Sequence, residues 1–293
     1  MECSTAWEGL SAWGTAARAD FWIALEQPGP WGREALTESH LDAALGAALQ
    51  EAATAAGGRV LLIRGVGAHA DTHDVRRRRV YLAGGLAGTP WLLAGDVTDP
   101  AALLELPWDA LAGTAVPDID GFTPTAPVLL VCTNAKRDRC CALRGRPIAT
   151  ELAASGLDVW ECSHTGGHRF APTGVVLPLG QVVGRLDLDL ARQVLDAAAS
   201  GRFAVGTLNE THDRGVSHLT PRQQAAVSWV RAHEGETDPV ALAVVGESDA
   251  TVTVQHADGR VGDLAVESVV GDLLPDSCGK PAKRSVTWRV AER

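Results

Sequence analysis

The sequence predicts an α/β chain in which one ground plan is laid out twice, followed by a helix and a small β-rich region. Three observations carry this. Short apolar runs alternate with amphipathic stretches and polar loops. The order strand–helix–strand–loop–strand–strand–helix is read in residues 21–112 and again in residues 126–199. From about residue 240 the periodicity changes to alternation, as in Thr251-Val252-Thr253-Val254, the mark of half-buried strands.

In the first half, residues 21–27 are an apolar, aromatic run stopped by Pro28-Gly29-Pro30, which reads as a strand and a breaker. Residues 37–56 carry Leu41, Leu45 and Leu49 at helical spacing, and Gly57-Gly58 ends the helix. Residues 59–66 are a strand. Strands at 78–83 and 90–97 follow a polar loop, and 99–112 is a short helix opened by Asp99-Pro100. In the second half, 126–132 is a strand and 133–144 a polar loop. Residues 147–155 form a helix opened by Pro147 and closed by Gly156. Then come a strand at 158–162, a loop at 163–169, strands at 171–178 and 181–186, and a closing helix at 190–199. This order is thioredoxin-like in both halves. Trp31-Gly32-Arg33-Glu34-Ala35-Leu36 faintly echoes Arg144-Gly145-Arg146-Pro147-Ile148-Ala149. Residues 114–125, rich in Pro, Asp and Gly, read as a linker. Residues 220–233 are a helix with Thr220 as N-cap and Pro221 behind it. Strands at 242–245, 251–255, 264–270 and 285–290, with a turn at Ala257-Asp258-Gly259, complete a small antiparallel sheet. The expected units are 1–113, a linker at 114–125, 126–200, a helical connection at 201–236, and 237–293.

The 293 residues are 46% hydrophobic and 21% charged, a composition that excludes a disordered chain. A formal net charge of -10 opposes phosphate backbones, so no nucleic-acid partner is expected. No apolar run reaches the roughly 18–20 residues of a bilayer span, and the first residues lack the basic and apolar regions of a secretory leader. A cytoplasmic protein away from membranes is expected. Six cysteines are too few for a disulfide scaffold, so clustered ones read as metal ligands or redox groups.

Cys132, Cys140, Cys141 and Cys162 fall in one stretch, followed by His164-Thr-Gly-Gly-His168. Thiols and imidazoles thus hang from adjacent loops at one edge of a sheet, where α/β proteins build sites. Zinc uses the same ligand types. Seven residues separate Cys132 from Cys140, a loop longer than zinc fingers favour and suited to a wider cluster of two irons and two sulfides. Gly166-Gly167 offers backbone N–H groups to cluster sulfides, and Lys136-Arg137-Asp138-Arg139 offers positive charge. Gly65-Val66-Gly67-Ala68-His69-Ala70 has the spacing of a dinucleotide loop but no helix after it, and reads as a strand-to-loop turn. The run Arg76–Arg79 reads as a charged edge or as a docking surface for an acidic redox partner. The remaining histidines are scattered and carry no reading.

Cys132-Thr-Asn-Ala-Lys-Arg-Asp-Arg-Cys140-Cys141-Ala-Leu-Arg-Gly-Arg-Pro, with Trp160-Glu-Cys-Ser-His164-Thr-Gly-Gly-His168-Arg-Phe-Ala-Pro, resembles the sucrase/ferredoxin-like family of actinobacteria, related to fungal thioredoxin-like ferredoxins. Leu25-Glu-Gln-Pro-Gly-Pro-Trp-Gly-Arg33 resembles the family's N-terminal signature, so the similarity spans most of residues 20–235. It implies a [2Fe-2S] cluster bound by Cys132, Cys140, His164 and His168, with Cys141 as the alternative to Cys140. It also implies one-electron transfer to a redox partner protein, with a potential above the about −400 mV of plant-type ferredoxins, because imidazoles replace two thiolates. The alternative is a zinc-stabilised, non-redox binding module using the same Cys2His2 ligands. An electron carrier is expected rather than an enzyme. No paired carboxylates in a glycosidase setting support sucrase activity. The first half has Glu26 and Gln27 where Cys132 stands, and reads as a degenerate copy. The role of Asp213-Arg214-Gly215-Val216-Ser217 stays open.

Overall fold

The computed structural model describes residues 2–67 and 76–293. A single turn, α1 (Cys3–Ala6), precedes the first half. There, β1 (Trp22–Glu26) leads through α2 (Ala43–Ala55) to β2 (Arg59–Arg64), parallel to β1. Next come β3 (Arg78–Gly84), antiparallel to β1, β4 (Trp91–Val97) and α3 (Trp108–Leu111). The helix expected over 99–112 is broken. A 3-10 turn at Pro100–Glu105 stops at Leu106, which is extended (ψ 147), as the residue before a proline must be. The expected linker contributes β5 (Phe122–Pro124), which pairs with β4.

The second half repeats the plan with β6 (Val128–Cys132), α4 (Arg139–Ala154), β7 (Val159–Cys162), β8 (Gly174–Leu177), β9 (Gln181–Val183) and α5 (Leu188–Ala199). A strand the sequence pattern does not show, β10 (Asp213–Val216), pairs with β9 as β5 pairs with β4. Helix α4 starts at Arg139, well before its expected opening at Pro147. Asp138 caps it, accepting the Cys140 N–H at 2.9 Å, and Pro147 lies inside the helix. The proline marks a missing backbone donor within the helix, which the N-cap signal at Asp138 outweighs. The echo between residues 31–36 and 144–149 is not a structural equivalence, since the first precedes α2 and the second lies within α4.

The strand order is β10-β9-β8-β6-β7-β2-β1-β3-β4-β5, two thioredoxin-like halves fused edge to edge at β7 and β2. Glu26 ends β1 opposite Ile63, and Cys132 ends β6 opposite Cys162. At the seam Ile63 pairs with Cys162. Equivalent residues of the two halves therefore face each other across a local two-fold axis. On one face, Ile23, Leu25 and Leu62 pack on Leu49 and Ala53 of α2. Leu129 and Val131 pack likewise on α4 and α5 through Ile148, Leu152 and Val194. On the other face, Trp22, Ala24, Leu61, Ile63, Leu130 and Cys132 share one core that crosses the seam.

Next to the seam, the Arg64 guanidinium donates from Nε to Glu161 at 2.9 Å, both side chains being under a tenth exposed. Thr133 adds a hydroxyl at 2.8 Å, and Arg64 lies 4.3 Å over the Trp31 ring. Beyond the two halves, α6 (Pro221–Glu234) starts with a capping box from Thr220 and Gln223. The strands β11 (Leu242–Glu247), β12 (Thr251–His256), β13 (Val261–Leu274) and β14 (Lys283–Glu292) form the expected antiparallel sheet in sequence order. Its Val252, Val254, Leu264 and Val266 pack on Ala226 and Val230 of α6. Among the described residues no helix is long and apolar enough to cross a membrane.

Replacing Arg64 with Leu leaves the Glu161 carboxylate buried beside the Thr133 hydroxyl and, at 3.9 Å, Arg146. Arg64→Leu should lower unfolding free energy by about 3–5 kcal/mol, and Arg64→Leu with Glu161→Gln should lose less. Chemical denaturation of the three proteins checks this; equal losses in the single and double variants would remove the ion pair from the seam's energetics.

Candidate metal centre

Cys132 is the last residue of β6, and its register partner Cys162 ends β7. Both thiols are fully buried. After a short loop α4 begins at Arg139. Successive helical residues are turned by about 100°, so the adjacent Cys140 and Cys141 cannot present their sulfurs to one place. Cys141 turns toward Cys132, and the ligand atoms of Cys132, Cys141 and His164 lie within 4.8 Å of one another. Gly145, one turn further on, permits this approach. A Cβ there would stand 2.6 Å from the Cys132 carbonyl oxygen.

Cys140 goes the other way, to Cys3, Asp138 and Cys278. Of the expected ligands, the structure thus gathers Cys132 and His164 with Cys141, the alternative, and separates Cys140 from them. The Cys141 thiol, donating to the Cys132 sulfur, and the adjacent His164 hold Cys132 well below the ordinary thiol range against its burial. Donating to Cys132, together with burial, pushes Cys141 well above that range. Burial first, and the Cys132 charge second, does the same to Cys162. The ionised sulfur is the form that binds metals.

The histidines sit on the loop after β7. Ser163 N–H donates to the Leu62 carbonyl at 2.8 Å, and the hydroxyls of Thr165 and Thr173 are 3.1 Å apart. The two rings lie 5.0 Å apart between centroids. In each, Nδ1 is buried and has no hydrogen-bond partner among the described residues. Burial, then the neighbouring His164, lowers His168 to about 4, so it is neutral near pH 7, as a ligand must be. Gly166 and Gly167 have φ of +82 and +66, and a Cβ on Gly167 would run into the Arg214 guanidinium.

Arg214, whose stretch 213–217 the sequence leaves open, is a residue of the site region that sequence reading missed. Carried by β10 and fully buried, it donates to the Gly166 carbonyl at 3.0 Å, to Thr15 Oγ1 at 3.1 Å and to the Thr15 carbonyl. It therefore clamps the histidine loop to the N-terminal segment. Burial lowers it to about 9, while the charges of Cys141 and Cys132 act in the opposite direction. A buried cation thus stands within electrostatic reach of both thiols. Downstream, Ser217 accepts from Trp22 Nε1 at 2.9 Å.

His164 also walls a cleft of about 500 Å3 lined by Arg18, Arg33, Arg59, Asn134 and Arg137. At the matching position in the first half, Glu26 accepts the Arg79 N–H at 2.9 Å. In the run 76–79, Arg78 bonds Gln27 and Arg79 pairs with Asp96. Of the dinucleotide-like stretch, Gly65, Val66 and Gly67 come directly after β2; residues 68–75, which include His69 and His73, lie outside the described residues.

Two thiols and the His164 imidazole converge, the His168 ring stands beside that of His164, and Nδ1 of both rings is buried and unpartnered among the described residues, a donor set suited to a soft or borderline metal. In comparisons with known proteins, a family model described as Sucrase/ferredoxin-like matches residues 12–215. No curated protein and no solved structure matches.

Gly167→Ala should destabilise the chain more than Gly156→Ala. Both need a left-handed backbone, which costs a residue with a Cβ about 1–2 kcal/mol. Only Gly167 has the Arg214 guanidinium in the way, whereas Gly156 has no atom within 4 Å. Denaturation midpoints decide it, and equal shifts would mean that Arg214 yields without cost.

Proposed function

The chain belongs to the sucrase/ferredoxin-like family, and from that premise we propose that it is a one-electron carrier holding one [2Fe-2S] cluster. The observation that carries this reading is that His168 stands beside the compact group of Cys132, Cys141 and His164, its ring 5.0 Å from that of His164, with Nδ1 of each imidazole buried and without a hydrogen-bond partner among the described residues. The two thiols suit one iron of a two-iron centre and the two imidazoles the other. The proposed ligands are therefore Cys132, Cys141, His164 and His168, with Cys141 in place of Cys140. When bound, such a cluster takes up and releases single electrons.

The chain's own groups set the conditions. The Cys132–Cys141 pair sits in the core shared by both halves and is kept from water. Arg214 places a buried positive charge near the sulfurs, which favours the more negative, reduced state. His164, at the wall of the arginine-lined cleft, is the exit toward a redox partner protein in the cytoplasm. One observation favours the second reading, a zinc-stabilised module. Cys132, Cys141 and His164 lie within 4.8 Å of one another, close enough to share one ion.

Absorption and metal analysis of anaerobically purified protein separate the two. The expected result is a red-brown protein with two irons and two sulfides per chain that bleaches with dithionite. Cys132→Ser, Cys141→Ser, His164→Ala and His168→Ala should each lose most of the iron, while Cys162→Ser and Cys140→Ser keep it. A colourless protein with zinc that depends on Cys132 would establish the zinc module instead, and four irons per chain would end the account of the first half as a copy without ligands.

A further inference from the structure

Cys140 meets two residues from opposite ends of the chain. Its sulfur is 3.2 Å from that of Cys278 and 3.7 Å from that of Cys3, and those of Cys3 and Cys278 are 3.6 Å apart. The Asp138 carboxylate oxygens lie 3.6 and 3.7 Å from the Cys3 sulfur. None of these cysteines is in a disulfide. Cys3, Cys140 and Asp138 are buried and Cys278 is half-buried. We propose that Cys3, Cys140, Cys278 and Asp138 bind one structural zinc ion, separate from the Cys132 centre.

The dimensions are those of a tetrahedral zinc site. With zinc–sulfur bonds of about 2.3 Å, the edges of a tetrahedron are about 3.8 Å, so the three sulfurs need to part by only tenths of an ångström. The carboxylate is already aimed. It accepts N–H bonds from Cys278 at 2.7 Å and Cys140 at 2.9 Å and a hydroxyl bond from Ser277 at 3.0 Å. Outer partners of this kind orient a ligating carboxylate. Cys140 lies in the first turn of the 16-residue α4, where the helix dipole favours a thiolate. As zinc binds, each thiol loses its proton to solvent and the ion replaces the three protons.

The segments that deliver these ligands are held independently. The Arg185 guanidinium donates to the carbonyls of Trp7 and Leu10 at 2.6 and 2.9 Å, fixing the chain that carries Cys3. Trp7 Nε1 donates to the Pro275 carbonyl at 3.2 Å, fixing the β13–β14 loop that carries Cys278. The ion would tie the N-terminus, α4 and the C-terminal sheet together beside the histidine loop, with Asp138 3.8 Å from His168 Nε2.

Because Asp138 touches both sites, the test uses Cys3 and Cys278. Full-length protein purified with reductant and washed with EDTA is analysed for zinc and iron, as wild type, Cys3→Ser, Cys278→Ser and Cys132→Ser. One zinc per chain is expected in the wild type and in Cys132→Ser, with at least tenfold less in Cys3→Ser and Cys278→Ser at unchanged iron. Were the Cys132 centre to carry zinc instead of iron, wild type would hold two zinc ions and Cys3→Ser, Cys278→Ser and Cys132→Ser one each, so the loss of one zinc through Cys3 and Cys278 is read separately from the identity of the Cys132 centre. Should the cysteine variants fail to fold, cobalt added to zinc-stripped Cys132→Ser reports instead, by a thiolate-to-cobalt charge-transfer band of tetrahedral type. Wild type without zinc, zinc unaffected by Cys3→Ser and Cys278→Ser, a mass showing a Cys140–Cys278 disulfide, or no charge-transfer band overturns the proposal.

Discussion

Arg64 and Glu161 face each other across the seam between two half-sheets, both out of water. The seam itself is short, pairing Ile63 with Cys162 and Arg64 with Glu161, so the side-chain pair carries much of its specificity. The loop that leaves β7 depends on this seam for its starting point. Ser163 is bonded in both directions to Leu62, and His164 is the next residue. The first half thus holds the chain from which the histidines depart, although its own strand end, Glu26, stands where the second half has Cys132.

The second controlling element is the start of α4. A helix that began at Pro147 would leave Cys140 and Cys141 on a loop, free to choose partners. With Asp138 as cap the two are in the first turn, and the turn per residue assigns them to different neighbours. One adjacent pair of cysteines then serves two places, Cys141 the strand end at Cys132 and Cys140 the meeting point of the chain termini.

Much of this was legible in the sequence because it is local. Apolar runs and breakers placed β1, β2, β6 and β7, and the Thr220–Pro221 signal placed α6. The nearness of Cys132 and His164 could be seen because strand ends at one sheet edge are close whatever the details, whereas the choice between Cys140 and Cys141 could not be settled without knowing where α4 begins. Three features were not legible. The length of α4 was hidden because Pro147 is a stronger written signal than Asp138. Strand β10 is four residues long and contains Asp213, Arg214 and Gly215, none of which favours a strand. Cys3, Cys278 and Arg214 reach the site region from sequence separations of 135 residues to Asp138, 138 to Cys140 and 48 to Gly166, which no periodicity encodes.

The seam pairs equivalent residues, Ile63 with Cys162, about a local two-fold axis. That is the geometry of an isologous interface between two identical subunits, here enclosed in one polypeptide. Two separate copies meeting this way would have to be self-complementary, with any change made on both sides at once. In a single chain that requirement is lifted. Arg64 can be matched by Glu161 on one side while Ser163 meets Leu62 on the other, and the end of one parallel strand can be Cys132 while its counterpart is Glu26. Covalent linkage of the halves is therefore what permits one of them to gather thiols and imidazoles at its strand ends while the other keeps the architecture.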